Sequence, residues 1–113
     1  MTINAQIIKA LAPLGFPIAP DIYTGTEAVY ITFNYDLLPA EFADNCPSYW
    51  RALVQVHLFA PLSTNLVGQR WKVVSALSSA GFTWPEVVDA TDQDAQHFVY
   101  ETEIMTDERM AIS

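Results

Sequence analysis

The residues best suited to chemistry in this chain are one cysteine, two histidines and several short clusters of acids. Cys46 with His57 or His97 could form a thiol–imidazole pair, in which the imidazole activates the sulfur as a nucleophile. However, Cys46 precedes a proline in a stretch with no following helix N-terminus that would stabilise a thiolate. We therefore expect a cysteine without a catalytic role.

The two histidines could also act as metal ligands. His57 and His97 fall in separate strand-like stretches, and Glu101 and Glu103 share a face with His97, so two imidazoles and a carboxylate could meet. No ligand spacing repeats along the chain, and the pairing of the strands is not fixed by the sequence. Two surface histidines without a metal are the favoured interpretation.

The remaining motifs indicate no catalytic or cofactor site. Asp89, Asp92 and Asp94 resemble the start of a calcium loop, but the glycine and the distant glutamate of that loop are missing. A glycine-rich phosphate loop and a nucleophile elbow are also absent from the sequence. We expect no enzyme activity, no cofactor and no metal.

Length and composition indicate one small globular domain. The chain has 113 residues, of which 51% are hydrophobic, 12% aromatic and 16% charged. A domain of this size holds one modest core, so this much apolar material favours a protein partner. A single cysteine allows no internal disulfide, and the N-terminal residues do not resemble a signal peptide. No apolar run approaches the roughly 20 residues of a membrane-spanning helix, so we expect folding in a cytoplasm without membrane association.

The charge balance bears on the class of partner. The formal net charge is −8, from 13 acids against 5 bases. Binding to a phosphate backbone needs lysines and arginines clustered on one face, which this sequence does not offer. The acidity could keep the protein in solution, or it could line a surface that DNA passes without binding.

The pattern of apolar residues predicts the order of the elements. A first helix is capped by Thr2 and ends at Pro13 and Gly15. A second helix begins at Thr64 or Asn65, runs to Ala80 and ends at Gly81, with an apolar stripe of Val67, Trp71, Val74, and Leu77 or Ser78. Strands are predicted at residues 21–23, 27–35, 50–59, around Val87 and Val88, and at 97–104, with connections at 36–47 and 89–96.

This order predicts an α+β fold. Strands joined by short polar turns favour an antiparallel sheet, mixed at most, of about four to five strands with both helices on one face. We assign residues 1–105 to a single domain and residues 106–113 to a flexible tail.

One face of the predicted sheet mixes aromatic, apolar and charged side chains. Such a face is typical of an interface between proteins, although a wetted sheet surface would also have this composition. Basic and polar residues on one strand could lie opposite glutamates on another. The candidate interface residues are Tyr30, Arg51, Leu53, Gln55, His57, Glu101 and Glu103.

Several stretches resemble the tail terminator proteins of long-tailed phages. These are RALVQVHLFAP and NLVGQRWKVVSALSSAGF in the centre, VYITFNY before them, and GFTWPEVVDATDQDAQH and AQHFVYETEI near the end. The resemblance covers most of the chain, roughly residues 1–105, and includes no catalytic motif.

The resemblance implies a structural role without enzyme activity. Such a protein forms a hexameric ring at the head-proximal end of the tail tube, stops tube polymerisation and offers the attachment surface for the head connector or stopper protein. The implied partners are further copies of the chain, the tube protein and the connector, and the implied location is the tail-neck region of a virion assembled in the host cytoplasm. DNA would pass through the ring without specific binding.

Acidic loops could line the lumen or the tube end of such a ring, because repulsion would keep DNA from adhering during passage. The candidates are Asp36, Glu41, Asp44, Asp89, Asp92 and Asp94. Two alternatives stay open: another neck or tail-tube ring component, and a small ligand-binding or enzymatic α+β domain.

Overall fold

A computed structural model describes residues 2–43 and 46–106 and has an α+β fold. The strands form one five-stranded mixed sheet in the order β1-β2-β3-β5-β4. The elements, in chain order, are α1 (Ile3–Leu11), a 3-10 turn (Ala12–Leu14), β1 (Ile18–Pro20), β2 (Tyr30–Ala43), β3 (Cys46–Ala60), α2 (Val67–Ser79), β4 (Glu86–Asp89) and β5 (Gln96–Thr106). The predicted fold class is confirmed, with both helices on one side of the sheet.

Helix α1 begins and ends where the sequence predicts. The Thr2 hydroxyl accepts a hydrogen bond from the backbone N–H of Ala5 at 3.1 Å, which satisfies one of the free donors of the first turn. After the 3-10 turn, Gly15 takes a left-handed conformation with φ of 82°. Glycine adopts this conformation without a steric penalty, so the chain can reverse towards β1.

Strand β1 lies earlier than predicted. It comprises Ile18–Pro20 and pairs in parallel with β2, so the prediction of a strand at residues 21–23 is wrong. The strand cannot continue there because Asp21 adopts a left-handed φ of 62°. Pro20 is tolerated because β1 is an edge strand, where a missing N–H costs no ladder bond.

Strands β2 and β3 form a hairpin much longer than predicted. Antiparallel pairing continues from Tyr30 opposite Phe59 to Ala43 opposite Cys46, so the prediction of a loop at residues 36–47 is wrong. The ladder tolerates Pro39 because a register shift follows directly after it, and prolines are accepted at such bulges.

Strand β5 pairs with β3 along its whole length, and β4 pairs with the outer side of β5. The predicted strand around Val87 and Val88 is confirmed, and β5 extends to Thr106 opposite Trp50. The rest of the predicted C-terminal tail lies outside the described residues.

Helix α2 comprises Val67–Ser79, so it begins later than a cap at Thr64 or Asn65 predicts and ends one residue before Ala80, and its buried face differs in part from the predicted one. Its first turn is closed by Asn65, whose Oδ1 accepts from the N–H of Val67 at 3.1 Å, and Gly81 beyond its end has a φ of 95°. Val67 and Trp71 are 65% and 61% exposed, so the predicted stripe is wrong at both positions. The buried residues of the helix are Val73, Val74 and Leu77.

The core lies between the helices and one side of the sheet. Alternate residues of β2, β3 and β5 point into it, as the sequence predicts, because side chains of a strand alternate between the two faces. The fully buried side chains include Ile3, Ile7, Leu11, Ile31, Phe33, Val54, Val56, Leu58, Val73, Val74, Leu77 and Tyr100. Neither described helix is long and apolar enough to cross a membrane.

Candidate functional site

The candidate site is the side of the sheet that faces away from both helices, which we call the open sheet face. Register fixes its members, since residues opposite each other in a ladder point to the same side. Apart from the buried Thr32, its described side chains are half-buried or exposed, in contrast to the mainly buried row on the other side. Its central pairs are Tyr30 with Phe59, Asn34 with Gln55, Asp36 with Leu53, and Gln55 with Glu101.

All seven predicted interface residues lie on this face, but not in the predicted charge pairs. Glu101 lies opposite Gln55, and Glu103 lies opposite Leu53. Arg51 is paired with Met105 and His57 with Val99, so the expectation that these basic residues oppose glutamates is wrong. The reason is the register, which the alternation of the sequence does not determine.

A row of stacked rings crosses one end of the open sheet face. The ring of Tyr23 stacks on Tyr30 with centroids 4.6 Å apart, and Tyr30 stacks on Phe59 at 5.1 Å. Phe59 in turn stacks on His97 at 4.2 Å, and the His97 ring lies 5.1 Å from that of His57. The row gives this end of the face a continuous, half-buried surface of five rings.

A chain of hydrogen bonds links the two histidines to neighbouring amides. Asn34 Oδ1 accepts from His57 Nε2–H at 2.9 Å, and His57 Nδ1 and His97 Nε2 share one hydrogen bond at 2.8 Å, in which either nitrogen can be the donor. Asn34 Nδ2 donates to Gln55 Oε1 at 3.3 Å. This arrangement requires at least one of the two imidazoles to be neutral. If both imidazoles were charged, two N–H groups would point at each other across 2.8 Å.

Burial and proximity explain the protonation of the pair. Burial lowers the pKa of His57 below its ordinary 6.5, and the neighbouring His97 lowers it further. Burial likewise lowers the pKa of His97, while the carboxylate of Asp92 partly opposes that shift. The folded protein therefore binds fewer protons than the unfolded chain just below pH 6.5.

This difference predicts a pH dependence of stability. Because folding depresses both pKa values, the contribution of the two histidines to the free energy of unfolding is greatest above pH 6.5. Below that value the free energy of unfolding falls as the pH drops. Thermal unfolding between pH 7.5 and 5 should show a decreasing Tm. The double variant His57→Gln with His97→Gln should show a flatter profile, and an equal slope in both proteins would contradict the assignment.

An acidic depression occupies the other end of the open sheet face. It has a volume of about 460 Å³ and is lined by four carboxylates together with Leu53 and Trp84, whose indole is 70% exposed. Glu86 on β4 lies directly opposite Glu101 on β5, and like charges in this position repel. The four acids are Asp36, Glu86, Glu101 and Glu103.

The acids predicted to lie in loops at the lumen or tube end occupy different kinds of secondary structure. Asp36 and Glu41 belong to β2, so they are strand residues and not loop residues. Asp89 is the last residue of β4, and Asp92 and Asp94 lie in the exposed connection to β5. Asp44 lies outside the described residues.

Two of these acids close local turns. Asp89 Oδ1 accepts from Thr91 N–H at 3.0 Å, and Asp92 Oδ1 accepts from the N–H groups of Asp94 and Ala95 at 2.8 and 3.1 Å. Hydrogen bonding from the side chain and then the backbone of Thr91 lowers the pKa of the Asp89 carboxyl group, and the backbone N–H groups of Asp94 and Ala95 lower the pKa of Asp92.

Within residues 2–43 and 46–106, no group of three or more His, Cys, Asp and Glu side chains is arranged to hold a metal ion. The two histidines do meet, but the glutamates considered as further ligands lie opposite Gln55 and Leu53 instead. Cys46 pairs with Ala43 at the far end of the hairpin.

Sequence reasoning missed Tyr23, Asn34, Trp84 and Glu86 as members of this face. Asn34 and Glu86 could have been found from alternation along their strands once the strand order was known. Trp84 stands in the connection before β4, and its exposure depends on the path of the chain.

Comparisons with known proteins bear on the fold. No protein-family model matches the chain. No curated protein matches it either. A solved structure of a protein whose name states no function is similar over 89% of this chain and 90% of its own, with a TM-score of 0.60 and 15% sequence identity. At this level of identity the likeness shows the α+β fold alone.

Proposed function

We propose that this chain is a structural subunit of a phage tail terminator, forming a hexameric ring at the head-proximal end of the tail tube. In this role it stops tube polymerisation and provides the surface to which the head connector attaches. It acts without enzyme activity, and DNA passes through the ring. The sequence stretches that resemble such proteins suggest the role, and the open sheet face supports it.

The observation that carries the proposal is the composition of the open sheet face. Tyr30, Phe59 and His97 form a half-buried ring stack beside a depression with four carboxylates. A face that mixes ordered aromatic rings with charges is typical of a protein interface. A ring also needs a second, different surface on each subunit, because its contacts are heterologous. Exposed Trp71 and Val67 on α2 lie away from the open sheet face and offer such a surface.

Two measurements test the proposal: the mass of the assembled protein and the length of the tail tubes formed in its presence. Native mass spectrometry of the purified protein should show a hexamer, alone or after addition of tail tube protein. Added to polymerising tube protein, it should shorten the tubes seen by electron microscopy and remain bound at one end. A control protein of similar charge should leave tube length unchanged. A monomer that binds neither tube nor connector protein would rule the proposal out.

The neighbouring alternative is another ring component of the neck or tube. It would also form rings, but it would add along the tube or bind on the connector side without stopping growth. The position of the bound ring therefore separates the two roles.

A further inference from the structure

The charges of this protein are divided between its two sides. Helices α1 and α2 contain three of the five basic residues and no acid. The opposite side of the molecule, the open sheet face, carries the four carboxylates of the acidic depression. The helix layer is therefore basic, and the open sheet face is mainly acidic although it also carries Arg51.

The basic groups of the two helices that point outward are the lysines. Lys9 and Lys72 are exposed, whereas Arg70 is held inward with its guanidinium 4.1 Å above the ring of Phe98. Lys9 also borders a groove of about 440 Å³ between the helices, whose other lining residues are Gln6, Ala10, Pro13, Ala76, Ser79 and Ala80. We call Lys9, Lys72 and this groove the outer helix face.

The acidic depression has the complementary features. Its carboxylates include the opposed pair Glu86 and Glu101, whose repulsion a neighbouring ammonium group would relieve. At its rim stands Trp84, an indole exposed over most of its surface. The groove between the helices is lined mainly by small side chains and is of a size that accepts a large side chain.

We propose that the outer helix face of one copy of this chain docks on the open sheet face of the next copy. Lys9 and Lys72 then lie against the acidic depression, and Trp84 enters the groove between the neighbour's helices. The contact joins two different surfaces, so it is repeated by every subunit and closes into a ring when the rotation allows. This inference rests on the proposed ring and names the surfaces that build it.

Two charge-reversal variants, one on each face, test the contact. The sheet-face variant carries Glu86→Lys and Glu101→Lys, which keeps a like-charged cross-strand pair and so matches the wild type in fold stability. The helix-face variant carries Lys9→Glu and Lys72→Glu, both at exposed positions. Far-UV circular dichroism and Tm establish that both are folded. A variant that does not fold is replaced by the variant with glutamine at the same two positions.

Each variant alone should self-associate on the order of tenfold more weakly than the wild type in sedimentation velocity. Mixed in equal amounts, the two variants should assemble again, because each face of one is complementary to a face of the other. Native mass spectrometry should then show assemblies with equal numbers of both. The control variant, Glu27→Lys with Asp94→Lys, changes the net charge as the sheet-face variant does and should assemble like the wild type.

The outcomes separate this inference from the proposed function. Variants that assemble like the wild type, or a mixture that restores nothing, overturn the proposed contact. If the variants still form rings but no longer bind tube protein, the open sheet face contacts the tube. The proposed ring then stands without the proposed contact between copies. A wild type that forms no ring, alone or with tube protein, overturns both.

Discussion

Leu77→Ala is expected to lower the free energy of unfolding by about 2–5 kcal/mol. Leu77 is fully buried on α2, in the core between the helices and the sheet. The loss combines the transfer of the removed carbons to water with the cavity that remains, and small domains have only about 5–15 kcal/mol in total. Urea denaturation followed by circular dichroism measures the change.

Trp71→Ala on the same helix is the matched control. Its side chain is larger than that of Leu77, yet it is 61% exposed, so we expect a change below about 1 kcal/mol. A loss for Trp71→Ala as large as that for Leu77→Ala would mean that α2 presents another face to the sheet.

Shortening the β2–β3 hairpin should leave the domain folded while abolishing head–tail joining. Among the described residues, strand β5 accompanies β3 as far as Trp50, which pairs with Thr106. Beyond that point the described residues of the two hairpin strands pair with each other, and the described core ends at Leu37 and Ala52. A two-stranded ribbon contributes little stability by itself, so its length suits contact with another protein.

The test replaces residues 40–49 with Asn-Gly, a dipeptide that forms tight hairpin turns. We expect the free energy of unfolding to stay within about 1 kcal/mol of the wild type, since the core is untouched. Joining of heads to tails, measured as infectious particles formed by extract complementation, should fall by about tenfold or more if the hairpin contacts a partner. Full complementation by the shortened protein would show that the hairpin end has no role in joining. Loss of folding would show that it supports the domain.

Alternation predicted the faces of the strands but not their partners. Val54, Val56 and Leu58 are buried as expected because the side chains of a strand alternate whatever the neighbouring strand is. The pairing of Glu101 with Gln55 depends on the register of β5 against β3, which alternation along each strand does not determine. The candidate face was therefore predictable, and its individual pairs were not.

Two errors have the same physical origin. Pro39 and the acids nearby favour a loop by local propensity, yet the chain continues as a strand because ladder bonds with β3 outweigh that propensity. On α2, Val67 and Trp71 fit the helical period but face away from the sheet. Period alone gives the spacing of an apolar stripe, and tertiary packing decides which of several possible stripes is buried.

The opposed glutamates of the acidic depression also restrict how two copies can meet. Placing two acidic depressions together across a two-fold axis would bring each set of carboxylates against an identical set, which costs free energy at low ionic strength. Symmetric dimers through the depression are thereby disfavoured. In the proposed contact, association is directional: every subunit points the same way along the assembly, which is the polarity that the proposed capping of one end of a tube requires.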